Sequence, residues 1–166
     1  MAAFCRGMYS NFPVMAVSMS TALCLSLIHI FARGAFLEYT QYLDHYYGTP
    51  RDEIEKQRDA GRDVILEIES DGAFQIKNTV ADAKLIFILP PDMRQLESRL
   101  RGRGTEDERT ILRRLERARQ EIAKAGEYDY VILNDQVDAA ADDLRSVIHA
   151  EKAKAAYMAD YMKEMF

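Results

Sequence analysis

The chain has no tryptophan, four prolines and two cysteines in 166 residues. Both cysteines, Cys5 and Cys24, fall within the first 32 residues. Residues 33–166 therefore hold no disulfide framework and no cysteine metal site, and a reducing, cytosolic setting fits. Charge is missing from the same N-terminal stretch. None occurs from Gly7 to Ala32, and Arg6 stands alone before it. The other 21 basic and all 27 acidic residues give residues 33–166 a net charge of −6, against −5 for the whole chain. That balance excludes a general nucleic-acid binder and a protein held to anionic membranes by charge. No internal repeat or low-complexity tract is visible. The length suits one domain with a sizeable core.

The composition breaks sharply at Arg33, which divides the chain into an atypical apolar segment, residues 1–32, and a body, residues 33–166. Three readings of the segment stand side by side. As a signal peptide or membrane anchor it has only Arg6 for a basic start, an interrupting Pro13 and no clean small-x-small cleavage pattern. As a buried strand, the apolar run Leu23–Phe31 would suit a sheet. As foreign sequence joined onto a genuine body, it would explain the break, and the break favours this reading. His29, alone in an apolar run, reads as incidental rather than as a ligand.

The body alternates short apolar runs with helical patterns. Thr49 can cap a helix, Pro50 suits its first position, Asp52 complements its positive end, and Gly61 stops it. Asp63–Ile68 and Lys84–Leu89 read as strands, the second apolar enough to be covered on both faces and ended by Pro90-Pro91. A helix is expected from Gly72 through Asn78. Met93–Arg101 is amphipathic. A longer helix runs from Glu106 to about Ala125, with Ile111, Leu115, Ala118 and Ile122 on one side. Tyr128–Leu133 is a third strand, and a final helix starts near Val137 and extends toward the end. Strands alternating with helices predict an α/β domain with a parallel sheet. Tyr157, Met158, Tyr161, Met162, Met165 and Phe166 form an apolar stripe at helical spacing, as core or as a contact between two copies of the chain.

Three groups of residues carry candidate chemistry. Phe36-Leu37-Glu38-Tyr39 and His45-Tyr46-Tyr47-Gly48-Thr49-Pro50 bring hydroxyls, a glycine and a carboxylate together, a set suited to a small polar ligand with a phosphate at one end. Glu38 alone would read as a surface acid, and Tyr46-Tyr47 as a core or turn pair. Arg99, Arg101 and Arg103 alternate through a loop broken by Gly102 and Gly104, and Arg109, Arg113, Arg114, Arg117 and Arg119 follow. Guanidinium groups match phosphate oxygens bidentately. Glu106, Asp107, Glu108, Glu116 and Glu121 could equally pair with these arginines on a solvated helix. Glu67 and Glu69 end a strand where ligands of open α/β sheets bind. Alternation would set both on one face, where two carboxylates repel unless a ligand or cation lies between them. Asn134-Asp135 follow the third strand and would by default be turn residues.

In order and spacing, Phe36-Leu37-Glu38-Tyr39, Tyr46-Tyr47-Gly48-Thr49-Pro50, Asp63–Glu69, Ile86–Pro91, Arg99–Thr105, Arg113-Arg114-Leu115 and Glu127–Asp135 resemble the guanylate kinase family. The resemblance implies a P-loop kinase-like α/β fold, a parallel sheet flanked by helices, with its first P-loop strand missing. A GMP-binding lobe would occupy residues 33–62 and an arginine-rich lid residues 99–108. The implied activity is transfer of the ATP γ-phosphoryl to GMP, with Mg2+, in cytoplasmic purine metabolism. GMP and ATP would be the partners; no nucleic acid or membrane is implied. By the same resemblance Glu38 and Thr49 would recognise guanine, Tyr47 would hold the GMP phosphate, and Glu67 and Glu69 would complete the guanine and magnesium side. Arg99, Arg103 and Arg114 would reach the ATP phosphates, Arg103 and Arg114 with a catalytic role, and Asn134 would touch adenine.

Two family strings occur nowhere in the sequence: the Gly-x-x-Gly-x-Gly-Lys loop that cradles ATP phosphates, and the Ser-x-Thr-Thr-Arg-x-x-Arg segment that faces the GMP phosphate. Ser70-Asp71-Gly72 also stands where the family has a hydrophobic residue, Gln and Gly. The expectation is a truncated or chimeric guanylate kinase with negligible phosphoryl transfer. The alternative is a non-catalytic guanylate kinase-like module that binds protein partners.

Overall fold

The computed structural model describes residues 2–5, 34–42, 45–104 and 106–166, with the backbone alone for 2–5, 40–42, 45–47, 160 and 161. It divides into two compact units, residues 1–87 with 126–129, and residues 88–125 with 130–166.

The first unit holds β1 (Ala2–Cys5), β2 (Phe36–Tyr42), β3 (His45–Pro50), α1 (Arg51–Asp59), β4 (Val64–Glu67), α2 (Ser70–Thr79) and most of β5 (Lys84–Leu89). Branched and apolar residues make β4 and β5 strands, and Pro90-Pro91, which cannot continue the ladder, ends β5. Leu85, Ile86 and Phe87 are all buried, so β5 is covered on both faces as its unbroken apolar run requires. Tyr128 closes this core, edge-on to Phe74 and Phe87 at ring-centre distances of 5.4 and 5.1 Å.

The slot between β4 and β5 is filled by β1 from the far N-terminus. β1 runs antiparallel to both neighbours, Phe4 opposite Ile65 on one side and Lys84 on the other. β4 and β5 are therefore parallel to each other, with α2 as the connection. Their inward backbone groups need partners, and β1 supplies them on both edges. The run Leu23–Phe31, which one reading of the sequence makes a buried strand, lies outside the described residues.

β2 and β3 form a separate antiparallel hairpin, Glu38 opposite Thr49 and Thr40 opposite Tyr47, with an irregularity between Phe36 and Glu38. Strict alternation would place Leu37 and Glu38 on opposite faces. At this bulge both are buried. The sequence offered no strand assignment here. Thr49 is not a helix cap, as expected, but a strand residue, and Pro50 occupies the cap position before α1 without a side-chain hydrogen bond. α2 begins at Ser70, earlier than Gly72, because Glu69 already accepts the first helical bond from the Ala73 amide at 2.9 Å.

The second unit holds the end of β5, α3 (Met93–Gly102), α4 (Glu108–Ala123), β6 (Tyr130–Leu133), α5 (Val137–Lys152) and α6 (Ala155–Lys163). Asp92 caps α3 by accepting the Gln95 amide at 2.8 Å, and Asp107 caps α4 by accepting Thr110 at 2.7 Å. The Asn134 amide donates to the Leu89 carbonyl at 2.8 Å. Ile111 and Leu115, one turn apart, are the buried residues of α4. The expected single C-terminal helix is two helices, α5 and α6. The buried Glu151 carboxylate, in the last turn of α5, accepts from the Tyr130 hydroxyl and from Lys154 at 2.5 Å. Tyr157, Met158, Met162, Met165 and Phe166 are exposed, which removes the core reading of their stripe.

Candidate functional site

Glu38 is the centre of the first unit's polar chemistry. The bulge turns it inward, and its side chain is only 6% exposed. Thr49, opposite it on β3 and 2% exposed, donates its hydroxyl to Glu38 Oε1 at 2.7 Å. The other carboxylate oxygen lies against α2: a Cβ built on Gly72 would stand 2.8 Å from Glu38 Oε2. Burial pushes the Glu38 carboxyl above the ordinary range, hydrogen bonds from the Thr49 hydroxyl and backbone pull it down, and the Glu69 charge pushes it up again. The net direction is upward. Below the hairpin, Gln75 of α2 bonds the Tyr39 backbone in both directions, accepting from its amide at 3.2 Å and donating to its carbonyl at 3.0 Å. These paired bonds fix β2 against α2 and hold the carboxylate in place.

The two carboxylates after Leu66 do not behave as a strand pair. β4 stops at Glu67, and Glu69 is the extended cap residue before α2, so strand alternation does not reach it. Both are exposed. Glu69 bears electrostatically on Glu38, which ties it to the same site. Tyr47 has its backbone in β3, and its hydroxyl lies outside the described residues.

In the second unit the arginines divide by partner. Arg99 donates to the Asn134 and Asp135 carbonyls at 2.9 and 3.1 Å, so it shapes the turn after β6. Arg101 is clamped between Glu97 at 2.9 Å and Glu108, which holds its guanidinium more firmly protonated than usual and lowers the Glu108 carboxyl. Arg114 pairs with Glu106 at 2.9 Å, Arg117 with Glu121 at 3.1 Å and Arg119 with Glu116 at 3.2 Å. Most of the ion pairs that the sequence allowed are thus formed. Arg103, just past the end of α3, makes no ion pair with any described residue and is exposed. Asn134 offers its carbonyl to Arg99 and its amide to Leu89.

Residues 26–151 match the family model described as guanylate kinase. The chain belongs to the guanylate kinase family. It is 48% identical over 132 residues to a guanylate kinase of Streptococcus thermophilus, covering 80% of this chain and 63% of that protein. It is 50% identical over 119 residues to one from Streptococcus pneumoniae, covering 72% of this chain and 57% of that protein. A crystal structure of guanylate kinase from Anaplasma phagocytophilum superposes with a TM-score of 0.63 at 26% identity, covering 81% of this chain and 65% of that one. The chain thus spans about 63% of the length of the first of these relatives. The fold is the P-loop kinase-like α/β fold of a phosphotransferase family. The match starts before Arg33, inside the segment set apart by composition.

Within the guanylate kinase frame, the residue that sequence reading did not single out as functional is Gly72. The sequence reads it as a helix start, in a string where Ser70 and Asp71 depart from the family pattern. Its closeness to Glu38 depends on how α2 packs on the hairpin, and nothing local signals that. Among the described residues, no group of three or more carboxylate, histidine or cysteine side chains could hold a metal ion.

Proposed function

We propose that the first unit binds GMP through its guanine edge. The ionised Glu38 carboxylate would accept from guanine N1–H and from the exocyclic amine, with Thr49 orienting it. The observation that supports this reading most is the buried carboxylate held at 2.7 Å by a buried hydroxyl. A carboxylate there takes two donors side by side and meets adenine's ring-nitrogen acceptor with repulsion, a pairing that discriminates strongly because the wrong base leaves a buried charge unsatisfied. Tyr47 would take the GMP phosphate, and Glu67 and Glu69 would complete the guanine side. Arg103, which makes no ion pair with a described residue, would meet ATP phosphate. Arg99 and Arg114 would have to leave their present partners to do so, and Asn134 would meet adenine through its side chain.

The family reaction moves the γ-phosphoryl of ATP to a phosphate oxygen of GMP, giving ADP and GDP. It depends on positioning and charge neutralisation. The sequence contains neither the glycine-rich ATP loop nor the arginine pair for the GMP phosphate, so this chain would bind nucleotide and transfer phosphoryl negligibly. Calorimetric titration with GMP and with AMP tests the reading. Saturable GMP binding, lost in Glu38→Gln and absent for AMP, is the expected result. No GMP binding by the folded chain would overturn it and leave the protein-binding module in its place. Ordinary turnover in a coupled ATP/GMP assay would overturn the prediction of inactivity.

A further inference from the structure

We propose that Gly72 is the positioning residue of the Glu38 site: the missing side chain on α2 is what lets the Glu38 carboxylate face the ligand while still bonded to Thr49. The three atoms nearest to a Cβ at residue 72 all belong to Glu38, with Oε2 at 2.8 Å, Cδ at 3.3 Å and Cγ at 3.5 Å. The Oε2 distance is shorter than real Cβ contacts allow, so one partner must move. A flexible exposed acid would swing aside. Glu38 has little freedom to do so, because it is buried, bulged into place and held by Thr49. α2 in turn is held to the same strand through Gln75 and the Tyr39 backbone, so the helix does not back away readily.

Backbone conformation does not explain this glycine. Gly72 lies within α2, is itself buried and is not among the positive-φ glycines. Alanine would be the better helix former there. The demand for glycine comes from close approach alone, and the group approaching is the one assigned to read guanine. This inference rests on the GMP reading for its consequence in specificity, and on the packing alone for its structural part.

A double-mutant cycle separates the two. Gly72→Ala in the otherwise unchanged chain should lower the unfolding midpoint. In a Glu38→Ala background the same change should raise it, because the collision is gone and only the helix preference remains. Loss of stability in both backgrounds, or in neither, would overturn the proposal, and the sign reversal remains measurable in the double variant if Gly72→Ala alone does not fold. For the folded variants, GMP affinity should fall roughly 10- to 100-fold in Gly72→Ala, the scale of one lost hydrogen bond to a charged group. The preference for GMP over IMP, which lacks the exocyclic amine, should shrink with it. Unchanged GMP affinity and preference would refute the positioning role. A wild-type chain that binds no GMP would refute the GMP reading instead and leave the sign reversal as the measure of the packing claim.

Discussion

Replacing Thr49 with valine keeps the shape of a buried residue and removes one donor from a buried carboxylate. The bond removed is the 2.7 Å contact from Thr49 to Glu38 Oε1, between side chains that are 2% and 6% exposed. Hydrogen bonds to a charged group contribute about 1.5–3 kcal/mol, and those between neutral groups about 0.5–1.5 kcal/mol. The destabilisation should therefore sit in the upper range when Glu38 is ionised and in the lower range when it is protonated. The Glu38 carboxyl is already raised by burial, with Thr49 working against that rise. Its folded-state value above the unfolded one means that its titration favours folding in acid, and that this contribution disappears as pH rises through the folded value. Valine should move the titration further up and make stability fall more steeply toward neutral pH. Urea unfolding at one pH below and one above the Glu38 titration, which a carbon-13 titration of its carboxyl locates, measures both quantities. Equal destabilisation at the two pH values, or a Glu38 titration that stays put or moves down, would refute the claim that Thr49 stabilises the charged form.

Two further predictions concern packing and pH. Gly48→Ala should cost about 1–3 kcal/mol by overpacking, because its Cβ would meet the Glu38 carbonyl and Phe36 Cδ1, each at 2.9 Å; a loss within experimental error in thermal unfolding would show that the hairpin yields instead. Asp129 accepts both Lys77 contacts at 2.7 and 2.6 Å and the Leu85 amide at 2.8 Å. Burial pushes its carboxyl up, but these donors outweigh burial and leave it below the usual value. A lowered folded value means stability that is present above the unfolded value of about 3.9 and lost as pH falls through the folded one. Asp129→Asn should cost about 1 kcal/mol at neutral pH and flatten the acid limb of the stability curve; an unchanged acid limb in a pH series of unfolding midpoints would count against it.

The order of elements was legible because it rests on local physics. Lys84–Leu89 is a strand in sequence and in structure, since a run of branched and apolar residues closed by two prolines has few alternatives. Ile111 and Leu115 face inward because helical spacing puts them on one side. The pairing of arginines with glutamates on α3 and α4 was also foreseeable, because most of the partners lie three, four or seven residues apart. The ends of elements were less legible. Glu69 left the strand because the next helix needed a cap residue, and the expected face shared with Glu67 disappeared with it.

What the sequence determined by itself was the family, through strings whose chemistry keeps its order: a carboxylate before a Tyr-Tyr-Gly-Thr run, an acidic strand end, an arginine-glycine loop. It also determined that the glycine-rich ATP loop is absent from these residues. Tertiary structure decided which of those groups act together. The bulge buried Glu38 beside Thr49, α2 brought Gly72 so close that a Cβ there would stand 2.8 Å from a Glu38 oxygen, and ion pairing left Arg103 without a charged partner among the described residues. It also decided that four N-terminal residues lie antiparallel in the slot between β4 and β5. Such outcomes depend on which backbone edges and side chains remain unsatisfied once distant segments meet, and no local pattern carries that information.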